Sequence, residues 1–268
     1  MNINPNSINE PLVSIIMGVY NAEKTMQDSI DSILQQTYTK WEFIICDDGS
    51  TDNTYSELQK KYEGDDRFVI IKNEENSGLP FTLNHCIKHC SGDYIARMDA
   101  DDISYPDRFE KQLDYLYKHP EISFVSSCVD IFDGEKITSI RKLPEFPTKR
   151  QMVYNTCFVH PATMFRAEAL KSIGMYRVSE ETRRGQDYDL FMRMYGADMR
   201  GANLQTPVYR YTEDVSAIKR RSFQGRVWEY KIRRTGYKAM RVYPWAFPYL
   251  FKPFAAYFLQ KIKGTPKK

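Results

Sequence analysis

The sequence predicts an α/β fold: a mostly parallel central sheet flanked by helices, followed by a basic, aromatic C-terminal tail. Three observations carry this expectation. Apolar runs of strand length alternate with amphipathic stretches of helical period through the first hundred residues, the pattern of βαβ units. Polar and acidic turn residues fall directly after the apolar runs, where the strand ends of such a sheet would gather. Charge is also unevenly placed. From Ser216 onward 14 Lys and Arg face a single acid, Glu229, leaving 24 of the 38 basic and 34 of the 35 acidic groups to residues 1–215.

Taken in order, residues 1–10 are polar and Asn-rich, and read as neither signal peptide nor anchor. Leu12 to Met17 is a buried-strand run. Glu23 to Gln36 places Met26, Ile30, Ile33 and Leu34 on one helical face. Trp41 to Cys46, Arg67 to Lys72 and Tyr94 to Met98 continue the strands, with helices over Asp52 to Tyr62 and Leu79 to Cys90 between them. Right-handed crossovers then bring all the strand C-termini to one edge. Pro106 to His119 reads as a helix with Pro in its first turn. Beyond it Ile122 to Cys128, Ile137 to Leu143 and Ala162 to Arg166 read as strands, and Gln186 to Tyr195 as a short helix. A domain over residues 11–215 and a helical tail over 216–268 follow.

Five cysteines without a CxxC pair argue against a disulfide framework and for a reducing, cytoplasmic compartment. His85-Cys86-Ile87-Lys88-His89-Cys90 has metal-ligand types at i, i+4 spacing. Leu83 and Ile87 favour instead a helix whose cysteines pack.

The chemistry concentrates at the strand ends. Asp99-Ala100-Asp101 follows an apolar run, where hard oxygen ligands suit Mg²⁺ or Mn²⁺ completed by substrate phosphates. An acidic turn capping the next helix would look the same. In Asp47-Asp48-Gly49-Ser50-Thr51-Asp52, capping and a glycine turn explain the second half, but not two acids ending an apolar strand. Tyr20 is either a rim aromatic or a stacking surface for a nucleobase. His160 before Pro161 is either structural or a neighbour of a metal. Arg97 meets a phosphate or an acidic neighbour, and Asp189 with Arg193, four residues on, reads as an ion pair on a helix.

Together the segments Val13 to Asn21, Asp47 to Ser50, Asn76-Ser77-Gly78, Gly92 to Asp102 and Pro106-Asp107-Arg108, with His160-Pro161-Ala162 and Gln186 to Leu190, resemble the successive motifs of family 2 glycosyltransferases with a GT-A fold. The resemblance covers residues 11–215. It implies an inverting transferase in which Val19, Tyr20 and Asp48 hold the nucleobase, with Asn76, Gly78 and Arg97 also in the donor site. Asp99 would lie near the ribose and Asp101 would bind Mn²⁺ or Mg²⁺, with Asp99 and His160 as further candidate ligands. Asp187 takes the position of the general base, and Gln186 stands where the family has Glu. The implied donor is a nucleoside diphosphate sugar, UDP preferred, and the acceptor a glycan or lipid-linked glycan in capsule, O-antigen or exopolysaccharide synthesis.

Two other classes compete. A nucleotidyltransferase should carry a basic glycine-rich phosphate loop, which residues 18–24 lack. An inactive nucleotide-binding or membrane scaffold would have no need of Asp99, Asp101 and Asp187 together. In the tail, cations from Lys219 to Arg241 interleave with aromatics, and Tyr243 to Leu259 is aromatic but broken by prolines, too short to span a membrane. A segment lying on an anionic inner leaflet fits, as does a helix packing its aromatics on the core. Nucleic acid is excluded as a partner by the acidic body.

Overall fold

The computed structural model describes residues 10–213 and 222–264, with side chains described to residue 258. Strands β1 (Val13–Val19), β2 (Trp41–Asp47), β3 (Phe68–Lys72) and β4 (Tyr94–Arg97) alternate with helices α1 (Met26–Leu34), α2 (Thr54–Tyr62) and α3 (Leu79–Lys88). Then come β5 (Ile103–Ser104), α4 (Arg108–Lys118), β6 (Ile122–Ser127), β7 (Val129–Phe132), β8 (Ile137–Arg141), α5 (Lys149–Tyr154), β9 (Met164–Arg166), α6 (Ala167–Ser172), α7 (Gln186–Gly196), β10 (Arg200–Leu204) and β11 (Tyr209–Thr212). Two further helices, α8 (Phe223–Ala239) and α9 (Lys252–Gly264), lie in the tail.

The main sheet has the order β10-β6-β9-β4-β1-β2-β3. Val13 of the central strand lies opposite Trp41 on one side and Tyr94 on the other, both in parallel register. Only β9 runs against its neighbours β4 and β6. Strand alternation sends Ile15, Met17, Phe43 and Ile45 to a core shared with α1 and α4. Ile16, Ile44 and Ile95 go to the opposite core with Leu83 of α3 and Leu190 and Phe191 of α7. Each fully buried side chain of this kind contributes about 1.5–3 kcal/mol.

Several expectations are corrected. The run Ile122 to Cys128 breaks at Cys128, after which the chain enters a second sheet of order β5-β11-β7-β8. The strand expected over Ile137 to Leu143 is the edge of that sheet, with largely exposed side chains. The first helix starts at Met26 because Ala22 accepts from the amides of Thr25 and Met26 in a turn. Pro106 lies before α4, whose N-terminal cap is Asp107. Cys86 on α3 and Cys90 just after it are buried while the His85 ring is 2.8 Å from Asn73 Oδ1, and the metal-capable group found among the described residues does not include them.

The first tail helix is part of the core's outer layer. α8 buries Ile232, Gly236 and Tyr237. Arg233 donates to the Val153 carbonyl (2.9 Å), the Tyr237 hydroxyl (2.7 Å) and Glu229 (3.0 Å).

Candidate active site

The parallel strands β1, β2, β3 and β4 end at one edge, and the candidate residues lie in the turns leaving it. Val19 is buried, and its carbonyl accepts the Asp48 amide at 2.8 Å. Tyr20, the next residue, is 48% exposed at the rim. The turns are stitched together: Asn21 Oδ1 accepts the Thr51 amide (2.9 Å), and Ser50 Oγ accepts the Asn21 amide (2.9 Å).

Asp48 has a definite structural task. Its Oδ1 accepts from the Ser77 amide (3.0 Å) and from Asn73 Nδ2 (2.8 Å), and its Oδ2 accepts from the Gly78 amide (2.9 Å). The buried carboxylate thereby fixes the loop carrying Asn76 and Gly78. Gly49 sits at φ +73°, and a Cβ there would lie 2.8 Å from the Glu75 carbonyl carbon, so the two loops approach as closely as glycine allows. Asn76 itself is exposed.

At the end of β4, Arg97 is fully buried and pairs with Asp99, so the acidic neighbour is the partner found. Its Nε and Nη1 have no hydrogen-bond partner. Asp99, Asp101 and Asp102 each offer a carboxylate oxygen, all within 4.8 Å of one another. Among the described residues this is the group able to hold a metal ion, and His160 is not in it. Asp102 is buried. Its Oδ1 accepts the Thr212 amide at 2.7 Å, while its Oδ2 has no partner. Burial and the charges of Asp99 and Asp101 push its carboxyl up to about 8. A hard divalent cation suits this set: it meets oxygen donors and relieves an acid cluster that burial disfavours.

His160 is buried behind the edge, its Nε2 2.7 Å from the Tyr176 hydroxyl. Burial and Arg97 hold its imidazole well below the usual range. Asp187 occupies the first turn of α7, partly exposed. Burial raises the phenol of nearby Tyr176 most, Arg97 opposes, and the charges of Asp187 and Asp99 raise it further. Two residues on from Asp187, buried Asp189 accepts from Arg177 (3.0 Å) and Arg193 (2.8 Å). Arg193, in the last turn of α7, also donates to the carbonyls of Ile173 and Met175, tying the helix to the preceding loop.

Asp102, Tyr176 and Tyr209, whose hydroxyl accepts the Asp99 amide at 3.3 Å, were not singled out from the sequence. Asp102 was visible as the last member of the Asp99 to Asp102 run. The two tyrosines carry no pattern that separates them from core aromatics.

Comparison with known proteins places this edge in a family. Residues 14–174 match the family described as Glycosyl transferase family 2. A putative glycosyltransferase of Bacillus subtilis (strain 168), EpsE, is 45% identical over 215 residues, covering 80% of this chain and 77% of the relative. The Escherichia coli UDP-Glc:alpha-D-GlcNAc-diphosphoundecaprenol beta-1,3-glucosyltransferase WfgD is 37% identical over 144 residues, 54% of this chain and 56% of that one. Among solved structures, S. aureus TarS 1-349 in complex with UDP-GlcNAc superposes with a TM-score of 0.68 at 17% identity, over 85% of this chain and 70% of that one. The mannosyltransferase PcManGT from Pyrobaculum calidifontis, in complex with GDP-Man and Mn2+, gives 0.59 at 20% identity, over 93% and 75%. The fold is therefore the GT-A glycosyltransferase fold, and the chain belongs to glycosyl transferase family 2.

Proposed function

We propose that the chain is an inverting transferase that moves a sugar from a nucleoside diphosphate donor, UDP-linked by preference, to a hydroxyl of a lipid-linked glycan in polysaccharide assembly. One observation carries the reading: Asp99, Asp101 and Asp102 bring carboxylate oxygens within 4.8 Å of one another at the sheet edge where β1, β2, β3 and β4 end. The donor preference is supported by the UDP-GlcNAc that TarS holds, and the lipid-linked acceptor by the substrate in the WfgD name.

The chemistry needs two poles. Breaking the bond from the anomeric carbon to the diphosphate leaves an electron pair on the departing oxygen. Asp101, with Asp99 and Asp102 beside it, would hold a divalent cation, which would supply positive charge to that leaving group. Tyr20 stacks on the base, and the loop that Asp48 fixes shapes the pocket around it. Asp187 accepts the proton of the acceptor hydroxyl as its oxygen bonds to the anomeric carbon from the opposite face, inverting the configuration. A glycosidase would need a second, protonated carboxyl across the bond.

The test is Asp187→Asn, which keeps shape but cannot take the proton. UDP-sugar affinity should persist while transfer falls by roughly 10²- to 10⁴-fold. Transfer at the wild-type rate would move the base elsewhere, Asp189 being already committed to two arginines. A wild-type product retaining the donor's anomeric configuration would reject the single-base scheme.

A further inference from the structure

We infer that the surface formed by α8, α9 and the segment between them docks on an anionic phospholipid surface. The aromatics of this region form a continuous set, half-buried at Tyr230, Phe254 and Tyr257 and exposed at Phe223, Phe247, Phe251 and Phe258. Phe223 lies 5.9 Å from Phe254 and 5.5 Å from Tyr257, and Tyr257 is 5.8 Å from Phe258. Tyr230 lies 5.8 Å from both Phe254 and Phe251, and Phe251 is 5.7 Å from Phe247. Phe247, Phe251 and Phe258 remain 53%, 48% and 58% exposed, and Trp245 44%. Single exposed apolar side chains are ordinary, whereas a continuous ridge marks an interaction surface.

Charge identifies the occupant. Arg234 and Lys238 are exposed on α8 opposite its buried face, and exposed Arg241 follows, while Lys231 is paired with Glu181 at 3.3 Å. Aromatic rings that settle at headgroup depth beside cations that meet lipid phosphates are the composition of an interfacial segment. The acidic excess of residues 1–215 turns the rest of the molecule away from such a surface. No helix among the described residues is long and apolar enough to cross a membrane, so the contact lies along the interface.

The platform is joined to the reactive half of the molecule. α8 packs on α7, whose first turn carries Asp187, and Ile232 of α8 would sit 2.9 Å from a Cβ at Gly185, just ahead of that turn. A docked molecule thus holds Asp187 at a fixed height above the lipid, a geometry suited to an acceptor anchored there. That consequence rests on the transferase reading; the docking does not.

Sedimentation of the full chain with vesicles tests it. The wild type should bind vesicles of phosphatidylcholine mixed with phosphatidylglycerol, bind phosphatidylcholine alone weakly, and be released by salt. Arg234→Glu/Lys238→Glu/Arg241→Glu should weaken anionic binding by roughly a hundredfold, since each basic residue near such a surface contributes about tenfold or less. Phe247→Ser/Phe251→Ser should weaken it independently. No wild-type binding, equal binding to neutral vesicles, or a dimer that the Phe variant dissolves in the absence of vesicle binding would overturn the inference. Mn²⁺-dependent UDP binding, measured on the same samples, separates the two readings: its absence beside intact vesicle binding would sink the transferase reading alone.

Discussion

Asp48 shows that a residue expected at a binding edge can also carry a structural task that its sequence neighbours do not announce. Two acids ending an apolar strand need to be paired or bound, and the family resemblance implies a nucleobase contact for Asp48. Each Asp48 oxygen accepts a backbone amide of the Ser77-Gly78 turn, so any contact with the base adds to a structural role. Sequence cannot rank these outcomes, because amide donors are the same in every loop. His160 is similar: it is held by Tyr176, 16 residues away, rather than by any nearby acid. Its depressed pKa has a measurable consequence. The unfolded chain takes up this proton near pH 6.5 while the fold resists it, so the contribution is intact above about pH 6.5 and declines below, by up to about 1.4 kcal/mol per pH unit. His160→Gln should therefore lose roughly 1 kcal/mol less than wild type between neutral pH and about pH 5.5 in urea unfolding. An equal loss in the two proteins would show that His160 titrates normally.

Among the elements, those with a strong period were legible and those recruited by their neighbours were not. β1 to β4 and α1 to α3 each bury a face that the spacing of Ile, Met, Leu and Phe announces. β5, β7, β10 and β11 are short, carry no apolar run of their own, and pair with strands already in place. In the tail, α8 packs inward through Ile232, Arg233 and Tyr237, while Trp245, Phe247 and Phe251 of the following segment are exposed. The α8 contact is testable at Gly236, where a Cβ would lie 2.4 Å from Met192 Sδ and 2.9 Å from its Cβ. Gly236→Val should lower stability by about 1–3 kcal/mol through overpacking. A thermal midpoint unchanged from wild type would mean that α8 does not seat on α7 as described.

At the scale of the molecule, sheet order and function are connected. Parallel strands put the turns after β1, β2, β3 and β4 on one edge, which is why candidates scattered from Val19 to Asp101 could be read as one site. Asp187 lay beyond that logic: it arrives on a helix packed against the opposite core, and its place was known only through the resemblance. The central claim is that the acid cluster and this edge bind a metal-bridged nucleoside diphosphate. Calorimetric titration of UDP with and without Mn²⁺ tests it most directly, on the wild type and on Asp101→Ala. UDP should bind the wild type more tightly with Mn²⁺ than without, and the variant should lose that difference. Equal affinity with and without Mn²⁺ in the wild type, or an Mn²⁺ enhancement that survives in Asp101→Ala, would contradict it.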